Sequence, residues 1–295
     1  MAAVENSTST SQEVFEGTEG QYLLPHHVSE IDRLRRQHEY TKVCSDGNLL
    51  GFPLPESSQQ LEILDSGCAD GTWLLDLARD YPQKQLALHG IDIGSHLFLA
   101  NPHLDLRQHD LLQSFPDSWG WKEHFDIIHQ RFLVWGLKET EWPRVLKNLQ
   151  SVLKPGGRIQ FVECKWIFPN LWETHPEQHK LALTQIWSTK TAGMDIYIGE
   201  KLTDLLQEYG FEDITTVSYP FAYGASAKHE KDRDSSAQLW VESFRHLAGR
   251  IGEDGIPGVA KTPEEYHAFL DRLVEEIKAI GYAPELRMIS GRKPL

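Results

Sequence analysis

The sequence predicts an α/β fold, strands alternating with helices around a mostly parallel sheet, and three observations carry that prediction. The mostly apolar run Leu61 to Leu64 leads through a small-residue turn, Asp65-Ser-Gly-Cys-Ala-Asp-Gly71, into the helix-like stretch Trp73 to Ala78. Further strand-like runs, Leu86 to Ile91 and Phe125 to His129, each end in polar residues. The stretch Trp142 to Leu153 has helical spacing at Val145, Leu149 and Val152, and Lys154-Pro-Gly-Gly157 stops it before the strand Arg158 to Glu163.

The turn suits a ligand. Glycine lacks the Cβ that blocks close approach, so backbone N–H groups and the positive end of a helix dipole can meet a polar or anionic group there. A dinucleotide site needs Gly-x-Gly-x-x-Gly, but Ala69 takes the second glycine position and Thr72 the third. Asp92 follows the second strand, close to the ~20-residue offset at which such folds offer a carboxylate to ribose hydroxyls. Leu106 to His109 is a third strand with Asp110 behind it, and Gln130 and Arg131 follow the strand that begins at Phe125.

In this order and spacing, these residues resemble the class I methyltransferases that use S-adenosyl-L-methionine (SAM), across about the central third of the chain. The turn matches that class's acidic-x-Gly-x-Gly-x-Gly, with Ala69 in place of one glycine, and Leu153-Lys-Pro-Gly-Gly157 matches its signature before the fifth strand. Within the class the chain is similar to the fungal LaeA-like methyltransferases of secondary metabolism. Tyr22-Leu-Leu-Pro25, Arg33-Leu34, Gln37-His38, His129-x-Arg131, Trp142-Pro143 and Glu163 carry that narrower match. The resemblance implies SAM as cofactor, held by Tyr22, Asp65, Gly67, Cys68, Ala69, Gly71, Asp92, Ile93, Asp110, Leu111, Gln130 and Arg131, with Asp110 on the adenine amino group. It also implies a Rossmann-like seven-stranded sheet in the order 3-2-1-4-5-7-6, the last strand antiparallel, with an N-terminal helical cap and helical insertions.

Composition narrows the partners. The 295-residue chain has a formal charge of -14, which argues against nucleic acid, because binders of phosphate backbones concentrate Lys and Arg. Cys44, Cys68 and Cys164 are few and odd in number, so they read as buried thiols and not as a disulfide framework or a zinc site. No apolar stretch approaches the ~18 residues of a membrane span, and the start is polar and acidic, so a cytoplasmic protein with no membrane partner is expected. The expected organisation is a disordered Ser, Thr and Glu-rich tail, 1–20, and one methyltransferase domain, 21–295. That domain divides into a cap (21–60), a SAM-binding core (61–165), a substrate lid (166–200) and C-terminal strands (201–295) with a helical insert (235–280).

In the cap, Ser29 is expected to start a helix with Asp32 at the reciprocal position and Ile31, Leu34 and His38 on one face. Arg33, Arg35 and Arg36 then fall on a solvated face, and Tyr22 either meets the methionine end of SAM or packs under the helix. The lid gathers Trp166, Trp172, Trp187 and Met194 as a substrate wall, although any single ring serves a core equally well. Thr174-x-x-Glu177 reads as a capping box, so His175 and His179, four apart, share a helix face, either toward substrate or as a solvated or packed pair; without further ligands they make no metal site. Beyond the lid come a helix from Glu200 to Tyr209 and a strand from Phe211 to Val217. A helix from Leu239 to Ile251, a second opened by Thr262-Pro-x-Glu265 and a last strand from Glu285 to Ser290 complete the chain.

A sulfonium methyl is already electrophilic, so the protein need only align the acceptor, exclude water and take a proton where one is carried. His129 and Glu163 are the candidate bases, each with a structural alternative, and Arg131 is the candidate grip for the SAM carboxylate or an anionic substrate group. His129 and Arg131 share one strand face and Gln130 takes the other, unless the strand ends before Arg131. Positions 130 to 133 hold neither the Asn-Pro-Pro-Tyr of amine methylation nor a magnesium-binding aspartate. The expected reaction is therefore metal-independent methyl transfer to a small apolar or aromatic secondary metabolite, at oxygen in preference to nitrogen. A LaeA-like SAM-binding regulator acting through protein partners, a SAM-binding enzyme of non-methylating rearrangement, and a homodimer stay open.

Overall fold

The computed structural model describes residues 28–56, 59–168 and 173–295, so the tail Met1 to Gly20, Tyr22 and Trp172 lie outside the described residues. Seven strands form one sheet: β1 (Leu61–Ser66), β2 (Leu86–Asp92), β3 (Leu104–Gln108), β4 (Phe125–Arg131), β5 (Leu153–Lys165), β6 (Glu212–Pro220) and β7 (Glu285–Arg292). Their order is β3-β2-β1-β4-β5-β7-β6, parallel through the first five, with β7 antiparallel to both its neighbours. This is the expected order and orientation.

The central strands carry buried apolar residues on both faces because helices cover both faces of a parallel sheet. Ile63 and Leu64, adjacent on β1 and therefore on opposite faces, are both fully buried. Ile63 packs with Trp73, Leu74 and Leu77 of α2 (Thr72–Asp80), and Leu64 with Val145 and Leu149 of α3 (Trp142–Val152). The remaining long helices are α1 (Val28–Cys44), α4 (Pro176–Thr191), α5 (Ile198–Glu208), α6 (Arg233–Arg245) and α7 (Pro263–Ile280).

Several boundaries differ from expectation. Helix α1 is already under way at Val28, one residue ahead of Ser29. The third strand runs from Leu104 to Gln108, and the sixth from Glu212 to Pro220. The Lys154-Pro-Gly-Gly157 turn is not a break before β5, because Leu153 already pairs with Phe125 and the register then shifts. The helix placed over 239–251 begins at Arg233 and gives way to a 3-10 turn over His246–Arg250. The polar first turns are part of the helix: Ser236 is buried and its hydroxyl accepts the Gly224 N–H at 3.0 Å. At α4 the N-cap is His175 with no side-chain cap, not Thr174. The α7 start follows expectation: Thr262 Oγ1 accepts from Glu265 N–H.

The strand order reverses between β1 and β4. Ligands in open α/β sheets sit at the carboxyl ends of the strands beside such a reversal.

Candidate active site

The turn between β1 and α2 carries Gly67 at φ 75°, Ala69 at φ 48° and Gly71 at φ 81°. Most of its backbone donors are used internally. Gly67 and Cys68 N–H both donate to Ile91 O at 2.8 and 3.0 Å, Ala69 N–H to Asp92 Oδ2 at 3.0 Å, and Thr72 N–H to Asp70 Oδ1 at 3.0 Å. The expected array of donors aimed at a ligand is thus replaced by a self-braced turn whose contribution is space. A Cβ on Gly67 would stand 3.3 Å from Leu133 Cδ2, another residue of the cavity wall. Gly71 is a correction: it does not line the cavity, and a Cβ there would lie 2.7 Å from Leu104 Cδ1. Its missing side chain lets α2 pack on β3.

A cavity of about 180 Å³ opens beside the turn. Gly67, Cys68, Ala69, Asp92, Ile93, Asp110 and Leu111 form one side, and Arg33, Leu34, Gln37 and His38 of α1 lie over it. Asp65, His129 and Arg131 are in the floor, and Trp135, Trp166, Trp240 and Phe244 make an aromatic wall. Trp166 and Trp240 stack with centroids 4.7 Å apart, and Trp135 tilts onto Trp166 at 5.5 Å. Asp92 braces two N–H groups, Ala69 through Oδ2 and Gly94 through Oδ1 at 2.8 Å. Asp110 Oδ1 accepts Leu112 N–H at 2.9 Å.

β4 continues to Arg131, so alternation holds along its full length. His129 Nδ1 lies 2.8 Å from Asp65 Oδ1, directly across the β1–β4 register, and Trp73 stacks on the imidazole at 3.8 Å and 5°. Burial drives the His129 pKa down, against the pull of Asp65. A neutral ring that donates Nδ1–H to Asp65 keeps a lone pair on Nε2, which is buried with no hydrogen-bond partner. Arg131 Nη1 donates to His38 Nδ1 at 3.1 Å, and His38 Nε2 lies 2.9 Å from Asp76 Oδ2.

Two expected site residues are elsewhere. Gln130 is buried on the opposite face, where its Oε1 accepts the Ser66 hydroxyl at 3.0 Å. Glu163 is buried outside the cavity lining and accepts Leu133 N–H at 2.7 Å, holding backbone and not the side chain of His129 or Arg131. Its burial pushes the carboxyl pKa up to about 8.

A family profile described as a methyltransferase domain matches residues 34–216. The chain belongs to the class I SAM-dependent methyltransferases. This methyltransferase is 29% identical over 285 residues to N-methyltransferase sirN of Leptosphaeria maculans, covering 94% of this chain and 96% of that one. It is 32% identical over 285 residues to N-methyltransferase verN of Clonostachys rogersoniana, covering 92% and 93%. The LaeA-like resemblance is borne out by 30% identity over 223 residues to secondary metabolism regulator LAE1 of Cochliobolus heterostrophus, covering 72% and 70%. Among solved structures, Haemonchus contortus phosphoethanolamine N-methyltransferase 2 in complex with S-adenosyl-L-methionine superposes with a TM-score of 0.50 at 14% identity. The match takes in 96% of the methyltransferase but 61% of that larger chain, and what the two share is the fold.

S-adenosyl-L-methionine is the family's cofactor, and the cavity fits it. The side chain missing at Gly67 leaves room against Leu133, and carboxylates (Asp65, Asp92, Asp110) and guanidinium groups (Arg33, Arg131) share one cavity. A ligand carrying an ammonium, a carboxylate and ribose hydroxyls needs both signs.

The expected lid of the methyltransferase is only partly a wall. Trp166 lines the cavity; His175, His179, Trp187 and Met194 do not. Helix α4 is drawn onto α7 instead, where Glu276 accepts the N–H groups of Glu177 and Gln178 at 3.0 and 2.9 Å and Gly281 O accepts Gln178 Nε2 at 2.7 Å. Trp240 and Phe244 of α6 and Trp135 after β4 take that place, unforeseen from the sequence. Their one local signal was the four-residue spacing of Trp240 and Phe244. Arg33 is also a correction, buried at the cavity with Nη1 donating to Ser243 Oγ at 3.3 Å, while Arg35 pairs with Asp70 and Arg36 with Glu242.

Proposed function

We propose that this methyltransferase acts on a nitrogen of a small, apolar or aromatic secondary metabolite. One observation carries the reading: the acid-lined end of the cavity at Asp92 and Asp110 is continuous with the aromatic wall of Trp135, Trp166 and Trp240. Cofactor and acceptor can therefore share one space. Bound SAM supplies the electrophilic methyl. In this reading Asp92 takes the ribose hydroxyls, Asp110 the adenine amino group between Ile93 and Leu111, Asp65 the ammonium and Arg131 with Arg33 the carboxylate. The wall orients a flat acceptor and excludes water. The indole N–H groups of Trp166 and Trp240 are buried without partners, so an acceptor bearing hydrogen-bond acceptor atoms suits this wall.

Nitrogen is favoured because the relatives matched almost end to end are named N-methyltransferases, and a nitrogen with a free lone pair needs no base. Oxygen is the second reading and rests on the Asp65–His129 pair: a neutral His129 keeps an unpartnered lone pair on its buried Nε2 that can take a hydroxyl proton.

The test is incubation with trideuteromethyl-SAM and small-molecule extract of the source organism, with mass spectrometry and NMR of the labelled product. Label on nitrogen, lost in Asp92→Ala, is expected. Label on oxygen selects the second reading. A product of unchanged mass points to rearrangement, and no labelled species at all to a regulator.

A further inference from the structure

Toward the amino ends of β1 and β4, away from the cavity, three side chains from three segments converge. Glu62 belongs to β1, His89 to β2, and His124 immediately precedes β4. Glu62 Oε2 lies 2.9 Å from His89 Nε2 and 3.3 Å from His124 Nε2, and one ligand atom from each residue lies within 4.8 Å of the others.

We propose that Glu62, His89 and His124 bind a divalent transition-metal ion of the zinc class. Two imidazoles and a carboxylate, with the fourth position left to water, are a donor set that zinc takes readily. Bonds of about 2.0 to 2.2 Å at tetrahedral angles place donor atoms roughly 3.4 Å apart, which these side chains reach with small adjustments.

The second observation is the layer behind the donors. His89 Nδ1 lies 3.2 Å from Asp105 Oδ2. A proton on Nδ1 shared with Asp105 leaves the Nε2 lone pair facing Glu62 and His124, the carboxylate–histidine arrangement that orients metal ligands. Asp105 is itself fixed, accepting Arg107 Nε at 3.0 Å and Nη2 at 2.7 Å, and that guanidinium lies over Trp119 and Trp121 at 4.9 and 4.6 Å. Trp121 and Phe125 meet the His89 ring edge-on at 5.7 and 5.3 Å. The Glu62 N–H donates to Asp126 Oδ2 at 2.8 Å, and Lys154 holds the same carboxylate at 2.7 Å. All three donors are half-buried, so an ion has a path in.

The other convergence of this kind among the described residues, His38, Glu39 and Asp76, is filled by protein cations: Lys42 sits on Asp76 and Arg131 on His38. An ion at Glu62, His89 and His124 would tie β1, β2 and the entry to β4 together at one end of the strands. The same strands carry Asp65, Asp92 and His129 toward their other end. Such an ion would lie outside the cavity, since none of the three ligands lines it.

The full chain, stripped with chelator and titrated with Zn²⁺ by calorimetry, is expected to bind one ion saturably and to unfold at higher temperature. His124→Ala removes a half-exposed ligand and should weaken Zn²⁺ at least tenfold while leaving SAM affinity unchanged, which certifies the fold. Asp105→Asn should weaken it about tenfold. Co²⁺ should give the visible absorption of a tetrahedral nitrogen and oxygen site, lost in His124→Ala. Absence of saturable Zn²⁺ binding overturns the proposal, as does wild-type affinity in His124→Ala, which would assign the ion to the thiols or to other histidines.

Discussion

Arg131 at the end of β4 donates to His38 on α1 across 3.1 Å, and His38 is hydrogen-bonded to Asp76 on α2 at 2.9 Å. The first bond requires a neutral imidazole, because an imidazolium has no acceptor. Burial, with Arg131 next in weight, pushes the His38 pKa down to about 4, so the ring stays neutral at physiological pH. Nε2 then carries the proton shared with Asp76, and Nδ1 receives Arg131. The cap helix thereby fixes the direction of a guanidinium inside the cavity.

His38→Ala should loosen Arg131 without removing its charge. Losing a hydrogen bond to a charged group is worth about 1.5 to 3 kcal/mol, so SAM affinity is expected to fall roughly tenfold or more in a calorimetric titration. Asp76 keeps Lys42 and Arg79 as partners, so the fold should survive. Wild-type affinity in this variant would detach Arg131 from the cofactor.

The same histidine sets an acid limit on stability. Its folded pKa, about 4, is below the ordinary 6.5, so as pH falls the unfolded chain takes up the proton first. The His38 contribution is complete above pH 6.5 and lost progressively down to about pH 4, in all about 3 kcal/mol. Denaturant melts at stepped pH should show that slope, and His38→Gln should flatten it.

Glu163 acts in the opposite direction. Burial raises its carboxyl from 4.5 to about 8, so the native state holds the proton longer and stability is lost as pH rises through that window, by roughly 5 kcal/mol in total. A glutamine oxygen can still accept Leu133 N–H. Glu163→Gln is therefore expected to be more stable than the wild type above pH 8 and to keep its methyl-transfer activity. A large loss of turnover would restore Glu163 as a base.

The contrast between Glu163 and Asp92 shows where the sequence was readable. Both are acidic residues at strand ends, but Asp92 answers to a turn beside it in the first β-α-β unit, whereas Glu163 answers to the chain leaving β4, a neighbour made only by folding. The sheet order was readable because apolar runs, turns and caps follow one another in the order that the family resemblance requires. Alternation on β4 places Gln130 opposite Arg131, so the two cannot both face the cofactor. The cavity wall was the least readable part. Trp240 and Phe244 form an ordinary helical stripe, and nothing local separates a stripe that faces a ligand from one that faces a core; nor did Trp187 announce that α4 would be drawn to Glu276 of α7.

Ala69 sits at φ 48°, left-handed backbone that favours glycine. An L-residue with a Cβ pays roughly 1 to 2 kcal/mol there. Ala69→Gly should recover about 1 kcal/mol in chemical denaturation, less what the freer unfolded chain takes back. SAM affinity should hold or improve, since the methyl narrows the turn. Weaker binding in the glycine variant would mean that the alanine methyl contacts the cofactor.

Asp92 has two duties that a single substitution mixes. Its carboxylate accepts Ala69 N–H and Gly94 N–H, and in the proposed reading it also receives the ribose hydroxyls through its remaining lone pairs. Asp92→Ala removes all of these at once: SAM affinity should fall ten- to a hundredfold, the equivalent of about 1.5 to 3 kcal/mol for a charged acceptor, and stability should drop by about 1 to 2 kcal/mol. Asp92→Asn separates the duties, because an amide oxygen can still brace one N–H while the NH₂ repels the other and cannot accept a hydroxyl. Calorimetric SAM titration and denaturant unfolding on the same preparations give both numbers. If stability falls in both variants while SAM affinity stays at the wild-type value, Asp92 is a brace of the turn alone and the ribose contact belongs to another residue.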